Sequence, residues 1–325
     1  MLCLSAELEF GVVGIYQSTR STRSWVSSLP LGSAAFRLAT LARKVIPDAE
    51  LHEIMVIATQ RSGSNHFCDM LGNLTRATVL NEIFNRRGAY GVKGHLLENL
   101  GERLGQNFAS NLDKNLTAFF RTNPQQALDF LSDFAKSLKS QILAYKIFQD
   151  NLPIRDVLEL LSKRRPFVIF LVRSRLSTYV SLLKVKQTKK WSQQDTTNLV
   201  VEVDPDSFLI WAQQIDSWYD QTYEFAVSNH IPFFVVFYES DVDIDENSAT
   251  RKLIDNLSVL GINSRSKRFF RKQRYFKQDK NPDPFRSIAD GEGLRARFIE
   301  RNILDYALRQ PLDGQPASLS ELSRI

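Results

Sequence analysis

The sequence predicts an α/β fold, a parallel β-sheet flanked by helices. Short runs, apolar at 54–58, 166–172 and 233–238 and interrupted only by Lys146 at 143–148, have the length and the β-branched or aromatic content of strands covered on both faces. Segments of helical spacing separate these runs, and strands alternating with helices build parallel sheets. Two of the runs end in polar, arginine-bearing turns, the place where open α/β sheets bind ligands.

Composition narrows the class. A chain of 325 residues with 43% hydrophobic and 24% charged residues is ordinary for a globular protein and long enough for a substantial core. Phenylalanine is abundant (22), so the core or a pocket should be rich in aromatic surface. Cys3 and Cys68 are the only cysteines, which argues against a disulfide framework or a thiolate zinc site and fits a reducing compartment. His52, His66, His95 and His230 show no metal-ligand spacing, so no metal is expected.

Most of the net charge of +6 lies in one place. Arg20, Arg23, Arg37, Arg43 and Lys44 fall between Phe10 and Pro47, where there is no acid, and the remainder sums to about +1. That balance argues against a nucleic-acid partner. Residues 1–50 thus read as a basic N-terminal arm before a domain at 51–325. Its amphipathic stretch 34–46 suits an organelle-targeting peptide, a helix making peripheral membrane contact, or a solvated arm packed on the domain. Glu7 and Glu9 interrupt any secretory signal, and no run reaches the ~18 apolar residues of a membrane span. The expected location is cytoplasmic, with membrane association and organelle targeting as alternatives.

The first strand runs into Arg61-Ser62-Gly63-Ser64-Asn65-His66, and a helix is expected from about Phe67 to Leu74. Small residues between a strand and a helix leave backbone N–H groups free at the positive end of the helix dipole, where phosphate-like anions bind. Ser62 and Ser64 add hydroxyls, Gly63 admits close approach, and Arg61 adds charge. A plain capped helix explains the same residues. The nucleotide-triphosphate loop G-x-x-x-x-G-K-[ST] is not matched, because no Lys follows Gly63, so a different phosphate-bearing ligand is expected.

Beyond Asn81-Glu82-Ile83-Phe84, weak periodicity with several Asn and Gly suggests a helical, pocket-forming insertion around 85–140. Asn123-Pro124 starts a helix whose core stripe should be Leu128, Leu131, Ala135 and Leu138. Further helices are expected at 153–163, from about Ser177, at 206–229, and at 247–260 before the C-capping Gly261. Arg173 ends the 166–172 strand, and Ser181, eight residues on, could converge with it on one anion; a strand-end Arg also serves as a structural ion-pair partner.

Taken together, Arg61-Ser62-Gly63-Ser64 and Arg173 with Ser181 resemble the two nucleotide motifs of sulfotransferases that use 3′-phosphoadenosine 5′-phosphosulfate (PAPS). The likeness is greatest to bacterial carbohydrate sulfotransferases of the trehalose-sulfotransferase type. It is carried by Ala58-Thr59-Gln60-Arg61-Ser62-Gly63-Ser64, Asn81-Glu82-Ile83-Phe84, Tyr145-Lys146-Ile147-Phe148 and Gln187-Thr188-Lys189-Lys190-Trp191, and it spans roughly 54–285. Asn65 and His66 depart from the family, which usually has Thr and apolar residues there.

The resemblance implies a three-layer architecture related to P-loop NTPases, and sulfuryl transfer from PAPS to a hydroxyl of a carbohydrate or glycolipid, leaving 3′-phosphoadenosine 5′-phosphate (PAP). It implies that Arg61, Ser62, Gly63, Ser64 and Asn65 hold the 5′-phosphosulfate and that Arg173 and Ser181 hold the 3′-phosphate. Lys277 and Gln278, within Phe276-Lys277-Gln278-Asp279, would close over the nucleotide. Glu82 would be the general base, and Arg61 would balance charge in the transition state. Trp191, His66 and His95 are the candidate acceptor contacts, the two histidines also being alternative bases. Tyr179, Trp211 and Trp218, at helical spacing, read as core. Enzymes of this kind can form homodimers. The competing readings are a non-catalytic phosphonucleotide-binding module and a P-loop-type kinase; the kinase would want a Walker lysine and an acidic strand end that the sequence does not show.

Overall fold

Five parallel strands form the sheet in the order β2-β3-β1-β4-β5. They are β1 His52–Ile57, β2 Ala77–Val79, β3 Ile142–Ile147, β4 Phe167–Val172 and β5 Phe233–Phe237. The computed structural model describes residues 50–191, 194–267, 279, 281–318 and 321. The chain divides into two units, Met1–Pro47 and Asp48–Ile325, and every described residue belongs to the second. The expected amphipathic stretch 34–46, Lys277, Gln278 and most of the basic run from 268 lie outside the described residues.

The pleat explains why these strands read as continuous apolar runs. Successive side chains point to opposite faces, and here both faces are covered. Met55 and Ile57 join Tyr145, Phe170 and Phe233 in one core cluster, while Ile54 and Val56 join Ala144, Ile169 and Phe234 in the other. Strand residues from Ile54 to Ile57 are fully buried, each worth about 1.5–3 kcal/mol where a Val, Ile or Met side chain leaves water.

Helix α1 (Ser64–Gly72) follows β1 and packs Phe67, Met70 and Leu71 into the second cluster. The segment before β3 holds α2 (His95–Leu104), α3 (Lys114–Thr122) and α4 (Pro124–Ser137), all packing into the first cluster. Helix α5 (Ile154–Arg164) links β3 to β4, and α6 (Arg175–Thr188) and α7 (Pro205–Ser228) link β4 to β5. A π-helical turn at Tyr238–Val242 leads to α8 (Glu246–Val259). Then come a 3₁₀ turn at Pro284–Ser287, α9 (Gly291–Glu300) and α10 (Leu304–Leu308). No helix among the described residues is long and apolar enough to cross a membrane.

Several expectations needed correction. Helix α1 begins at Ser64 rather than near Phe67, because Gly63 turns left-handed (φ 85°) and serves as the N-cap. Helix α6 begins at Arg175, two residues before Ser177, because the Ser174 hydroxyl caps it by accepting the Ser177 N–H. Leu138 is not core: α4 ends at Ser137, Leu138 is 57% exposed, and the buried stripe is Ala127, Leu128, Phe130, Leu131 and Ala135. Strand β2 and the elements after Gly261 were not foreseen.

Neighbouring strands β1 and β4 send their chains to opposite sides. The chain leaving β1 enters α1 on one face, whereas α7 packs Trp218 and Tyr219 on the other. This is a topological switch point, where a crevice opens at the carboxyl ends of the strands. Helix α7 steadies both ends: Trp218 Nε1 donates to Ala58 O at 3.2 Å and Tyr219 OH to Leu171 O at 2.7 Å. At the sheet edge, Val235 N–H donates to Ala317 O at 2.8 Å, and Phe234 bridges antiparallel to Ser318.

One buried charge ties α6 to the chain beyond α8. Lys184, 1% exposed, spends its three donors on Thr196 O, Asp279 Oδ2 and Ser287 Oγ at 2.8, 2.6 and 2.8 Å. Removing one partner of a buried ion pair strands the other. Lys184→Ala should therefore cost about 3–5 kcal/mol of unfolding free energy, read as a lower midpoint in urea denaturation.

Candidate functional site

The turn after β1 is built from its own backbone. Ser62 donates both its N–H and its hydroxyl to Thr59 O, at 3.3 and 2.8 Å, so this fully buried serine shapes the loop rather than facing outward. Arg61 and Gly63 take positive φ, 70° and 85°. A side chain on Gly63 would be doubly opposed, since a Cβ there would meet Tyr238 Cε2 at 2.1 Å. Gly63 offers no side chain to cap α1, and the first turn of that helix carries no acid. Its N–H groups at Ser64 and Asn65 thus keep their positive end open.

That helix start faces a cavity of about 910 Å³. Of the residues singled out in the sequence, Arg61, Gly63, Ser64, Asn65 and His66 line it, together with Glu82, Arg173, Ser181 and Trp191. Ser62 does not line it, for the reason given, so its expected contact with a ligand is corrected to a loop-building role. His95 does not line it either: it stands at the start of α2, 93% exposed, bonded to Glu98 at 2.9 Å. Its place as an acceptor contact or base is therefore withdrawn.

Two clusters organise the cavity. In the first, Arg61 Nε donates to Ser181 Oγ at 3.1 Å and Arg61 Nη1 to Trp191 O at 2.7 Å. Arg173 Nη1 donates to Arg61 O at 3.0 Å. Ser181 thus meets Arg173 through Arg61 rather than directly. The Arg173 guanidinium lies 4.8 Å from the Tyr238 ring centre; its buried Nε has no hydrogen-bond partner among the described residues, with Glu239 Oε1 4.0 Å away. Burial, then the neighbouring Arg173 charge, lowers the Arg61 pKa to about 10, which leaves it cationic at neutral pH. Two adjacent guanidinium groups have the charge and the donors to hold a multiply charged anion.

The second cluster centres on Lys146, a charged residue inside the otherwise apolar β3. Its side chain is 1% exposed, with Nζ 3.4 Å from Ser64 Oγ and 3.6 Å from Glu82 Oε1. It also donates to Asn65 Oδ1 and lies 5.1 Å from the Phe148 ring centre. Glu82 Oε2 accepts from Asn85 Nδ2 at 2.6 Å. A carboxylate at the cavity wall is thereby fixed by an amide and a buried ammonium, and the same ammonium reaches the first turn of α1.

His66 adds an acceptor or donor still to be met: its Nδ1 is buried without a hydrogen-bond partner among the described residues. Burial lowers its pKa, which favours the neutral ring, against the opposing pull of Asp69, Glu246 and Asp243. Sequence reasoning missed Lys146 and Tyr238 as site residues. The signal for the first was a lysine within a fully buried strand, which must find partners. For the second it was position, one residue past the end of β5.

Neither a protein-family model nor a curated protein matches the chain.

Gly63→Ala should lose ligand binding by more than tenfold, because strain at φ 85° and the Tyr238 clash each oppose the new methyl. Combining it with Tyr238→Ala should restore only the steric part. Binding measured by calorimetry in both variants checks this; wild-type affinity in Gly63→Ala would refute the loop's tight packing.

Proposed function

We propose that the protein is a PAPS-dependent sulfotransferase that moves a sulfuryl group to a hydroxyl of a carbohydrate or glycolipid, on a three-layer architecture of P-loop type. The carrying observation is that a twin-arginine anion cluster and an ion-paired carboxylate line the same cavity at the carboxyl ends of β1, β3 and β4. A kinase-like loop would place a lysine after Gly63; here the ammonium comes instead from Lys146 on β3.

The residues fit a nucleotide bearing phosphate at two positions. The open helix start at Ser64 and Asn65 suits the 5′-phosphosulfate, and Arg173, with its unmet buried Nε, suits the 3′-phosphate beside Ser181. When bound, PAPS supplies a sulfuryl group on a phosphate leaving group. Transfer is in line: the acceptor oxygen forms a bond to sulfur as the bond from sulfur to the phosphate oxygen breaks. Glu82 takes the proton of the acceptor hydroxyl. Lys146, between Ser64 and Glu82, holds the carboxylate in place and offers positive charge toward the leaving phosphate, as do Arg61 and the α1 N–H groups.

Calorimetry with PAP and with ATP tests the donor site. Tight PAP binding, weak ATP binding and about a tenfold to hundredfold loss in Arg173→Ala are expected, the scale of a lost charged hydrogen bond. Equal affinity for both nucleotides with no effect of Arg173 would refute the reading.

Glu82→Gln tests the base. Transfer should fall by about 10²–10⁴ while PAP affinity stays within about twofold. Full activity in that variant would remove Glu82 from the mechanism, and PAP binding without transfer to any sugar in the wild type would favour the non-catalytic module.

A further inference from the structure

A second cavity, of about 330 Å³, adjoins the first, and Arg86 lines both. The loop from β3 to α5 divides them: Phe148 and Asp150 face the first cavity, Gln149 and Leu152 the second. The two cavities thus meet at Arg86, four residues after Glu82.

Its lining chemistry is one-sided. Arg86 and Arg121 contribute two positive charges, and no Asp or Glu is among the described lining residues, whereas acids line the first cavity alongside its cations. The two arginines are held in the same way. Arg86 Nε donates to Asp150 O at 3.0 Å, and Arg121 Nε donates to the next carbonyl, Asn151 O, at 3.2 Å. Neither terminal Nη pair hydrogen-bonds within the described residues. Two guanidinium forks anchored at their inner nitrogens, on consecutive carbonyls, present their outer donors as a clamp for a planar or tetrahedral anion.

The remaining lining suits a sugar ring. Gln149, Gln214, Gln221 and Ser217 supply amides and a hydroxyl, Gln221 Nε2 donating to Ser217 Oγ at 2.9 Å, and Pro153 and Ile154 supply apolar surface beside the nearly buried Trp218 and Leu152. Gln149 Oε1 is buried with no hydrogen-bond partner among the described residues, an unmet acceptor that a sugar hydroxyl can satisfy. The volume is that of about eleven waters at ~30 Å³ each, enough for one ring and too little for a long chain.

We infer that the second cavity binds an anionic sugar residue, a uronate or sulfated ring, so that the acceptor is an acidic glycan reaching past Arg86 with its reacting hydroxyl in the first cavity. The word acceptor rests on the sulfotransferase reading; the anionic-sugar site does not. Charge at Arg86 and Arg121 then selects the acceptor, while Glu82 and Lys146 act on its hydroxyl.

The probes are cellobiose and its uronate counterpart, cellobiouronic acid, titrated at low salt into the full chain by calorimetry and saturation-transfer NMR, with and without PAP. Wild type should bind the uronate at least about tenfold more tightly than cellobiose, the scale of one charged hydrogen-bonded contact. Arg121→Gln, which removes a fork, and Ser217→Phe, which fills the cavity, should each erase that preference and leave PAP binding unchanged. Equal binding of the two sugars, or a preference that survives both variants, overturns the inference even if PAP binds tightly. Indifference to PAP with the uronate preference intact overturns the donor reading alone and supports the site.

Discussion

A parallel sheet covered on both faces leaves polar side chains few places to converge except the strand ends, and the rest of this structure follows from that constraint. The strands between β2 and β5 are saturated with apolar contacts, so the turn after β1, Arg173 after β4 and Tyr238 after β5 are forced to the same rim. Lys146 breaks the rule inside β3, and it is tolerated because Ser64, Asn65 and Glu82 surround its ammonium. A buried charge of this sort contributes little net stability, but it fixes which groups must sit together. Here it couples the first turn of α1 to the carboxylate across the cavity.

The same constraint decides what the sequence could reveal. Strands β1, β3, β4 and β5 are visible as apolar runs because burial on both faces removes alternation. Strand β2 is three half-buried residues at the sheet edge, too short to leave a pattern. Helix α2 buries only Leu96, Leu100 and Gly101, which explains the weak periodicity of its segment. Leu138 had the right spacing, but the helix stopped one residue earlier, and spacing does not report an end.

At the site, residues carried by strand ends were legible and those placed by tertiary packing were not. Arg61, Ser64, Arg173 and Ser181 follow from the position of their loops and helix. Ser62 is of the right type in the right loop, yet the turn consumes both of its donors. His95 was suggested by its chemistry alone, and α2 carries it into solvent. The pairing of Arg86 with Arg121 depends on two carbonyls of one loop meeting side chains 35 positions apart, which no local pattern encodes.

The treatment of the β5 edge reaches beyond the site. Phe233-Phe234-Val235-Val236-Phe237 is uncharged, aromatic and β-branched, the composition that stacks into cross-β assemblies when its edge is bare. Residues 317–318 lie along that edge and occupy the Val235 N–H, while the opposite edge strand is only three residues long. Residues 317–318 therefore cover part of the β5 edge, and the same stretch buries Leu312 in the first core cluster, so the ribbon most prone to pair with another copy is partly capped.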